Sequence, residues 1–254
     1  MTQLLIPMAG EGKRFKDAGY SISKPCIEID NIPMVVQAVR SLPKSDCHIF
    51  VVRDFHMMNG VVDTIRHFYP KALFKPISQL TDGQASTCLL AKQEIDNNDP
   101  LMIGACDNGM VWSKSKFESL KQEADCIVWT FRNNPCVTEH PEHYGWIKTE
   151  RNGLTITQTS IKKPLSDTPK NDHAIVGAFW FAKGHYFVEA AEAMITDNNR
   201  INNEFYVDTC IDYIIKSGKK AVVFEIDYYI GWGTPADLQT WIYWSEFFKK
   251  EQLI

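Results

Sequence analysis

The sequence predicts an α/β protein whose mainly parallel sheet is flanked by helices. Short apolar runs rich in β-formers alternate with segments of helical period, the pattern of strands joined by crossover helices. A length of 254 residues, with 44% hydrophobic and 23% charged residues, suffices for one large buried core. No Pro/Ser-rich linker, repeat or low-complexity tract divides the chain. Residues 1–254 are therefore read as a single domain with two working parts, about 1–135 and about 136–254.

Candidate strands run from Leu4 to Met8, His48 to Arg53, Leu73 to Ile77, Leu101 to Ile103 and Cys126 to Phe131. Between the first two, Met34, Val35, Ala38, Val39 and Leu42 recur at helical spacing behind Pro33, which suits a helix start. Past residue 140 the texture changes. Tyr144 to Thr149 and Leu154 to Thr159 alternate as strands around the turn signal Arg151-Asn152-Gly153. Ala174 to Phe181 is a further strand, and Phe187, Val188, Ala191, Met194 and Ile195 describe the next helix. This half reads as a lobe over the end of the sheet. A last helix is announced by Thr234-Pro235-Ala236-Asp237, with an N-cap, a proline at the first helical position and an acid in the first turn. Its apolar face is expected to carry Leu238, Trp241, Ile242 and Phe248. With Tyr243, Trp244 and Phe247 alongside, the aromatic side is broad enough for core packing plus a homo-oligomer surface.

Charge and cysteine usage exclude several classes. Lys and Arg number 27 against 31 Asp and Glu, a net charge of −4, so no nucleic-acid footprint is present. Seven scattered cysteines without a Cys-x-x-Cys pair argue against a disulfide framework and a zinc site, and fit reduced thiols in a cytoplasmic protein. The N-terminus has no basic segment followed by a long apolar run, and no stretch approaches the ~18 apolar residues of a membrane span. His140, His143 and His173 are dispersed and read as structural or surface residues.

The most informative stretch is Ile6-Pro7-Met8-Ala9-Gly10-Glu11-Gly12-Lys13-Arg14-Phe15, followed by Lys24-Pro25. A strand enters a turn in which Gly10 and Gly12 let backbone N–H groups approach an anion with no Cβ in the way. Lys13, Arg14 and Lys24 add three cations, which suits several phosphates and the charge that builds on them during reaction. A dinucleotide-binding turn is the alternative, with Asp30 as its distal carboxylate, but Phe15 stands where the third glycine belongs. Asp107 follows the apolar run from Leu101, so its carboxylate emerges at the C-terminal end of a strand. Such a carboxylate can begin a magnesium site that substrate phosphates complete; the plain alternative is a turn aspartate before Asn108-Gly109.

Gly10-x-Gly12-x-Arg14-Phe15 with Lys24-Pro25 resembles the signature of the nucleotidyltransferases that make nucleotide sugars and related activated head groups, and the resemblance runs through most of the chain. It implies a Rossmann-like, GT-A-like mixed fold and transfer of a nucleotidyl group from an NTP to a phosphorylated small-molecule acceptor, with release of pyrophosphate. It further implies that Lys13, Arg14 and Lys24 are the catalytic cations and that Asp107 holds Mg²⁺. Met8, Ala9, Gly10, Gly12, Gln79 and Gly83 would bind the nucleotide, while Gly145 and Lys163 of Lys163-Pro164 would meet the acceptor.

Two positions depart from the family pattern. A second metal-binding aspartate belongs in a Trp-Leu-Asp-x-Gly-Thr motif, whose counterpart here is Tyr229-Ile230-Gly231-Trp232-Gly233-Thr234; glycine replaces the acid, and Asp208 and Asp227 are the nearby substitutes. Sugar-binding members carry glutamate just before the Lys-Pro pair, where this chain has Lys162. An ammonium only donates, so Lys162 favours an acceptor with an anion beyond its phosphate, unless strand alternation turns it to solvent. Similarity to the short cytidylyltransferase-like members of capsule and surface-polysaccharide clusters implies CTP, with phosphoglutamine among the acceptors. Sugar-1-phosphate thymidylyl or uridylyl transfer, a GT-A glycosyltransferase and a non-catalytic nucleotide-sensing subunit stay open as alternatives.

Overall fold

In the computed structural model, which describes residues 1–251, the sheet is built around β1 (Gln3–Pro7). Leu4, Leu5 and Ile6 are all fully buried, because helices cover both faces of this strand and leave no solvent side to alternate with. Then come α1 (Lys13–Asp17), the small hairpin β2 (Glu28–Ile29) and β3 (Ile32–Pro33), and α2 (Met34–Ser41). The chain continues through β4 (Cys47–Arg53), α3 (Val61–Phe68), β5 (Leu73–Ile77), α4 (Gln84–Leu89), β6 (Leu101–Ile103), β7 (Asn108–Val111) and α5 (Lys114–Leu120). Beyond these lie β8 (Cys126–Phe131), α6 (Cys136–Glu139), β9 (Gly145–Thr149), β10 (Ile156–Ile161) and β11 (His173–Phe181). The last elements are α7 (Gly184–Thr196), α8 (Val207–Lys216), β12 (Ala221–Glu225), β13 (Tyr228–Gly231) and α9 (Pro235–Lys250).

Parallel pairs β1–β4, β1–β6, β4–β5 and β12–β8 form two blocks. β11 runs antiparallel between β6 and β8 and joins them, and the β9–β10 hairpin adds to its first residues through His173 opposite Ile147. Among the described residues nine strands share this mixed sheet. The second half of the chain is thus woven into the sheet and not laid over its end as a lobe, because β11 and β12 pair with strands of the first half. Cores form on both faces. Leu5, Ile103, Phe179, Phe187 and Ile211 pack on one side, and Leu4, Ile6, Phe50, Trp129 and Trp146 on the other, as the alternation of β1 requires.

A separate ribbon, β7 with β13, positions the site: Gly231 lies opposite Asn108, the residue after Asp107. α9 differs from the expectation. Of its anticipated apolar face only Leu238 is buried, while Ile242, Tyr243, Trp244, Phe247 and Phe248 are exposed. Leu238 and the half-buried Trp241 pack with Trp232, and farther along buried Ser245 and exposed Lys249 bond to Asp30 Oδ1 in the β2–β3 turn at 3.0 and 2.5 Å. The helix thus buries its apolar side only over its first two turns, through Leu238 and Trp241, and leaves the later aromatics outside. Among the described residues no helix is long and apolar enough to cross a membrane.

Candidate active site

β1 delivers the glycine loop. Met8 and Ala9 are buried behind it, and the Met8 amide donates to Val51 O at 2.9 Å. Gly12 takes a left-handed conformation, φ 62°, which costs glycine little, and its carbonyl accepts the first amides of α1, from Phe15 and Lys16. That turn buries Phe15 and leaves Gly10, Lys13 and Arg14 exposed. Arg14 borders the large cavity described below; Lys13 does not.

Lys24 opens a short 3₁₀ turn whose Pro25 is buried, and its ammonium lies 2.6 Å from Asp107 Oδ2. Burial pulls the Lys24 ammonium down, but the Asp107 carboxylate together with the Cys106 sulfur more than offsets this and holds it above its ordinary value. Asp107 is fixed in turn by the β13 side: the Trp232 amide donates to Asp107 O at 2.8 Å, and a Cβ on Gly233 would stand 3.1 Å from Asp107 Oδ2. The uncovered carboxylate oxygen is a hard donor at the mouth of a cavity, a donor set that fits Mg²⁺ when phosphates supply further oxygens. A cation that takes Asp107 Oδ2 as well must displace Lys24.

Two adjoining cavities meet at Asp107. The larger, about 480 Å³, is bordered by Arg14, Lys24, Asp107, Tyr144, Tyr229 and Asp237. The smaller, about 220 Å³, shares Asp107, Tyr144 and Tyr229 and adds Gly145, Lys162 and Asp208. Tyr229, where the family pattern has tryptophan, stacks on Phe131 with ring centroids 4.2 Å apart. Of the substitute acids, Asp208 enters the smaller cavity and Asp227 is exposed outside both. Asp237 is the acid that sequence reasoning missed. It was visible as the first-turn acid of α9, where Thr234 Oγ1 donates to it at 2.7 Å, but its place on the same cavity as Asp107 depends on where α9 starts in space.

Lys162 has φ 63°, and this left-handed step at the end of β10 breaks strand alternation. Its side chain therefore turns into the smaller cavity and not to solvent, donates from Nζ to His143 O at 2.8 Å, and passes 5.8 Å from the Tyr206 ring. Lys163 is exposed and borders neither cavity. The Asp208 carboxylate occupies the space into which a Cβ on Gly145 would project, so this glycine is required by the protein's own packing. Burial raises Asp208 to about 6 against the partial opposition of Lys162.

Gln79 is exposed, and neither it nor Gly83 borders the two cavities. Gly83 has φ 110°, and a Cβ there would lie 2.6 Å from Phe205 N and O; the turn is clamped by Phe205 N to Asp82 O at 2.7 Å and Ala85 N to Phe205 O at 2.9 Å. His173 is structural as expected, its Nδ1 2.9 Å from Thr130 Oγ1. His140 and His143 are not dispersed: their rings stack at the rim, 4.8 Å apart.

No protein-family model matches the sequence, and no curated protein matches it. Solved structures do match. The nucleoside-diphosphate-sugar pyrophosphorylase from Vibrio cholerae superposes with a TM-score of 0.77 at 21% identity, over 94% of this chain and 98% of that one. This chain has the nucleotidyltransferase fold. The inositol-1-phosphate CTP transferase from T. maritima gives 0.72 at 13% identity over 98% and 96% of the two chains. A UDP-glucose pyrophosphorylase complexed with UDP-glucose gives 0.68 at 19% identity over 99% of each. These likenesses establish the mixed α/β architecture around the site.

Proposed function

We propose that the chain is a nucleotidyltransferase, moving a nucleoside monophosphate from an NTP to a phosphorylated small-molecule acceptor and releasing pyrophosphate. The observation that carries this reading is the meeting of Arg14, Lys24 and Asp107 at one cavity mouth, beside a second cavity with its own lysine. A glycosyltransferase of this architecture has no need of cations gathered for a triphosphate.

An acceptor phosphate is already ionised, so the reaction needs no general base. The chain has to align that phosphate with the α-phosphorus and neutralise developing charge. Backbone from Met8 to Gly12 cradles the nucleotide, with Gln79 and Gly83 assigned to the base side. Arg14 at the cavity holds the leaving pyrophosphate, with Lys13, exposed outside the cavity, adding charge from α1, and Lys24 passes from Asp107 to the reacting phosphates. Asp107 would hold Mg²⁺, which supplies charge neutralisation on the phosphate oxygens. Gly145 and Lys162 face the acceptor, a role Lys162 is better placed for than the exposed Lys163.

CTP is the favoured nucleotide and phosphoglutamine a favoured acceptor, in the making of capsule or surface-polysaccharide precursors. One structural neighbour is described as a CTP transferase, which supports the first choice. The test is a pyrophosphate-release screen of CTP, UTP, dTTP and ATP against sugar 1-phosphates and phosphorylated amino-acid derivatives. Release with dTTP or UTP and a sugar 1-phosphate would keep the transferase and change its substrates. Nucleotide binding with no release from any pair would favour a sensing subunit, the reading to which Gly231 in place of an acid lends weight.

A further inference from the structure

The turn that leads into β9 gathers three metal-ligating side chains. After His140, Pro141–His143 form one 3₁₀ turn, in which the His143 amide donates to His140 O at 3.0 Å. Residues three apart eclipse one another in such a turn. His140 and His143 accordingly stack, with ring planes 24° apart. Glu142 Oε1 reaches both, 3.2 Å from His140 Nδ1 and 3.8 Å from His143 Nε2. One donor atom from each of the three residues lies within 4.8 Å of the other two. A tetrahedral zinc ion bound at about 2.0–2.1 Å needs donors roughly 3.4 Å apart with each imidazole edge-on to the ion, so the two exposed rings must turn out of their stack to close the set.

The backbone beneath is anchored from two sides. Trp146 Nε1 donates to Pro141 O at 3.1 Å, and Lys162 Nζ to His143 O at 2.8 Å. The three side chains remain 46–62% exposed, so an ion can enter from solvent. We propose that His140, Glu142 and His143 form a binding site for a divalent transition ion of the zinc class, with a fourth position left to water or an anion. Two imidazoles with one carboxylate select a borderline ion, whereas Mg²⁺ prefers oxygen donors. Arg14 and Lys162 stand close enough to His143 to oppose the ion, which sets its affinity below that of a closed four-ligand site. An ion bound here fixes the turn whose carbonyl orients Lys162, tying the acceptor-side lysine to metal occupancy.

The site is independent of the transferase reading and is tested without turnover. Zn²⁺ titration by calorimetry and Co²⁺ absorption spectra are recorded on a Cys136→Ser background, which removes an exposed thiol that could also bind these ions. The expected result is one Zn²⁺ bound at least about tenfold more tightly than in His140→Ala or Glu142→Gln, and a visible Co²⁺ band that both variants lose. A tenfold excess of Mg²⁺ should leave that band in place. Both substitutions lie on exposed side chains, and unchanged melting without metal verifies their folding. Equal Zn²⁺ stoichiometry and affinity in all three proteins, or a Co²⁺ band that survives in the variants, would overturn the proposal.

Discussion

Lys24→Met removes the ammonium from Asp107 while keeping an apolar stem. The pair is 2.6 Å apart with side chains 19% and 29% exposed, so at an effective dielectric near 20 its gross attraction is about 6 kcal/mol. Desolvation of both charges and solvent access cancel most of that and leave about 1–2 kcal/mol net. The variant should therefore melt about 2–8 °C lower. Its turnover should fall by about a hundredfold or more, since a preorganised cation aimed at reacting phosphates is typically worth ~3 kcal/mol. The diagnostic effect has the opposite sign. With its carboxylate released from Lys24, Asp107 should bind Mn²⁺ without nucleotide about 5–30-fold more tightly, the same 1–2 kcal/mol read as affinity. Mn²⁺ binding followed by electron paramagnetic resonance measures this, in a His140→Ala background that removes one member of the rim cluster. Unchanged Mn²⁺ affinity, or wild-type pyrophosphate release, would refute the idea that Lys24 exchanges between Asp107 and phosphate.

Asp107→Asn should abolish turnover in a way that added Mg²⁺ only partly restores, whereas Asp227→Asn, outside both cavities, should match wild type in the same pyrophosphate assay. Asp208 is held at about 6 against an ordinary 3.8, so the folded state keeps a proton that the unfolded state releases, and stability falls as pH rises between those values. Asp208→Asn should then melt about 6–12 °C higher than wild type at pH 8 and come close to it near pH 4 by calorimetry; a lower melting point at pH 8 would contradict the assignment. CTP with Mg²⁺ should raise the melting temperature more than ATP, GTP or dTTP, and a larger rise with dTTP would overturn the cytidylyl preference. Lys162→Glu should raise KM for an anion-bearing acceptor about tenfold with kcat little changed; identical kinetics would return simple sugar phosphates to the front.

What the sequence made legible was local. The alternation of apolar runs and helical segments and the glycine loop depend on neighbours a few residues away and stand where the pattern puts them, whereas the strand before Asp107 ends already at Ile103, so Asp107 comes from the loop that leads into β7 and not from a strand end. Lys162 was half legible. Its residue type marked a departure from the family pattern, but strand alternation argued for solvent, and only the left-handed step at φ 63° reverses its direction. The Asp237 carboxylate and the pairing of His140 with His143 went unread because they depend on a helix start in space and a single 3₁₀ turn, for which the residue types carry no strong signal.

The glycines show most clearly where such reading stops. Gly83 and Gly145 are both recognisable as special from the motif, and a ligand lying against bare backbone is the natural reason to assign them. In the structure each is needed first by the protein itself: Gly83 because Phe205 crosses it, Gly145 because the Asp208 carboxylate occupies the space beside it. Both partners lie in the segment that enters α8, sixty or more residues from Gly145 and farther still from Gly83. One segment thus clamps the turn at Gly83 and lays a carboxylate against Gly145 in the smaller cavity. Shifting α8 would disturb both halves of the site together, so Gly145→Ala should impair nucleotide binding as well as acceptor use. A variant that lost acceptor use alone would show that the two cavities are built independently.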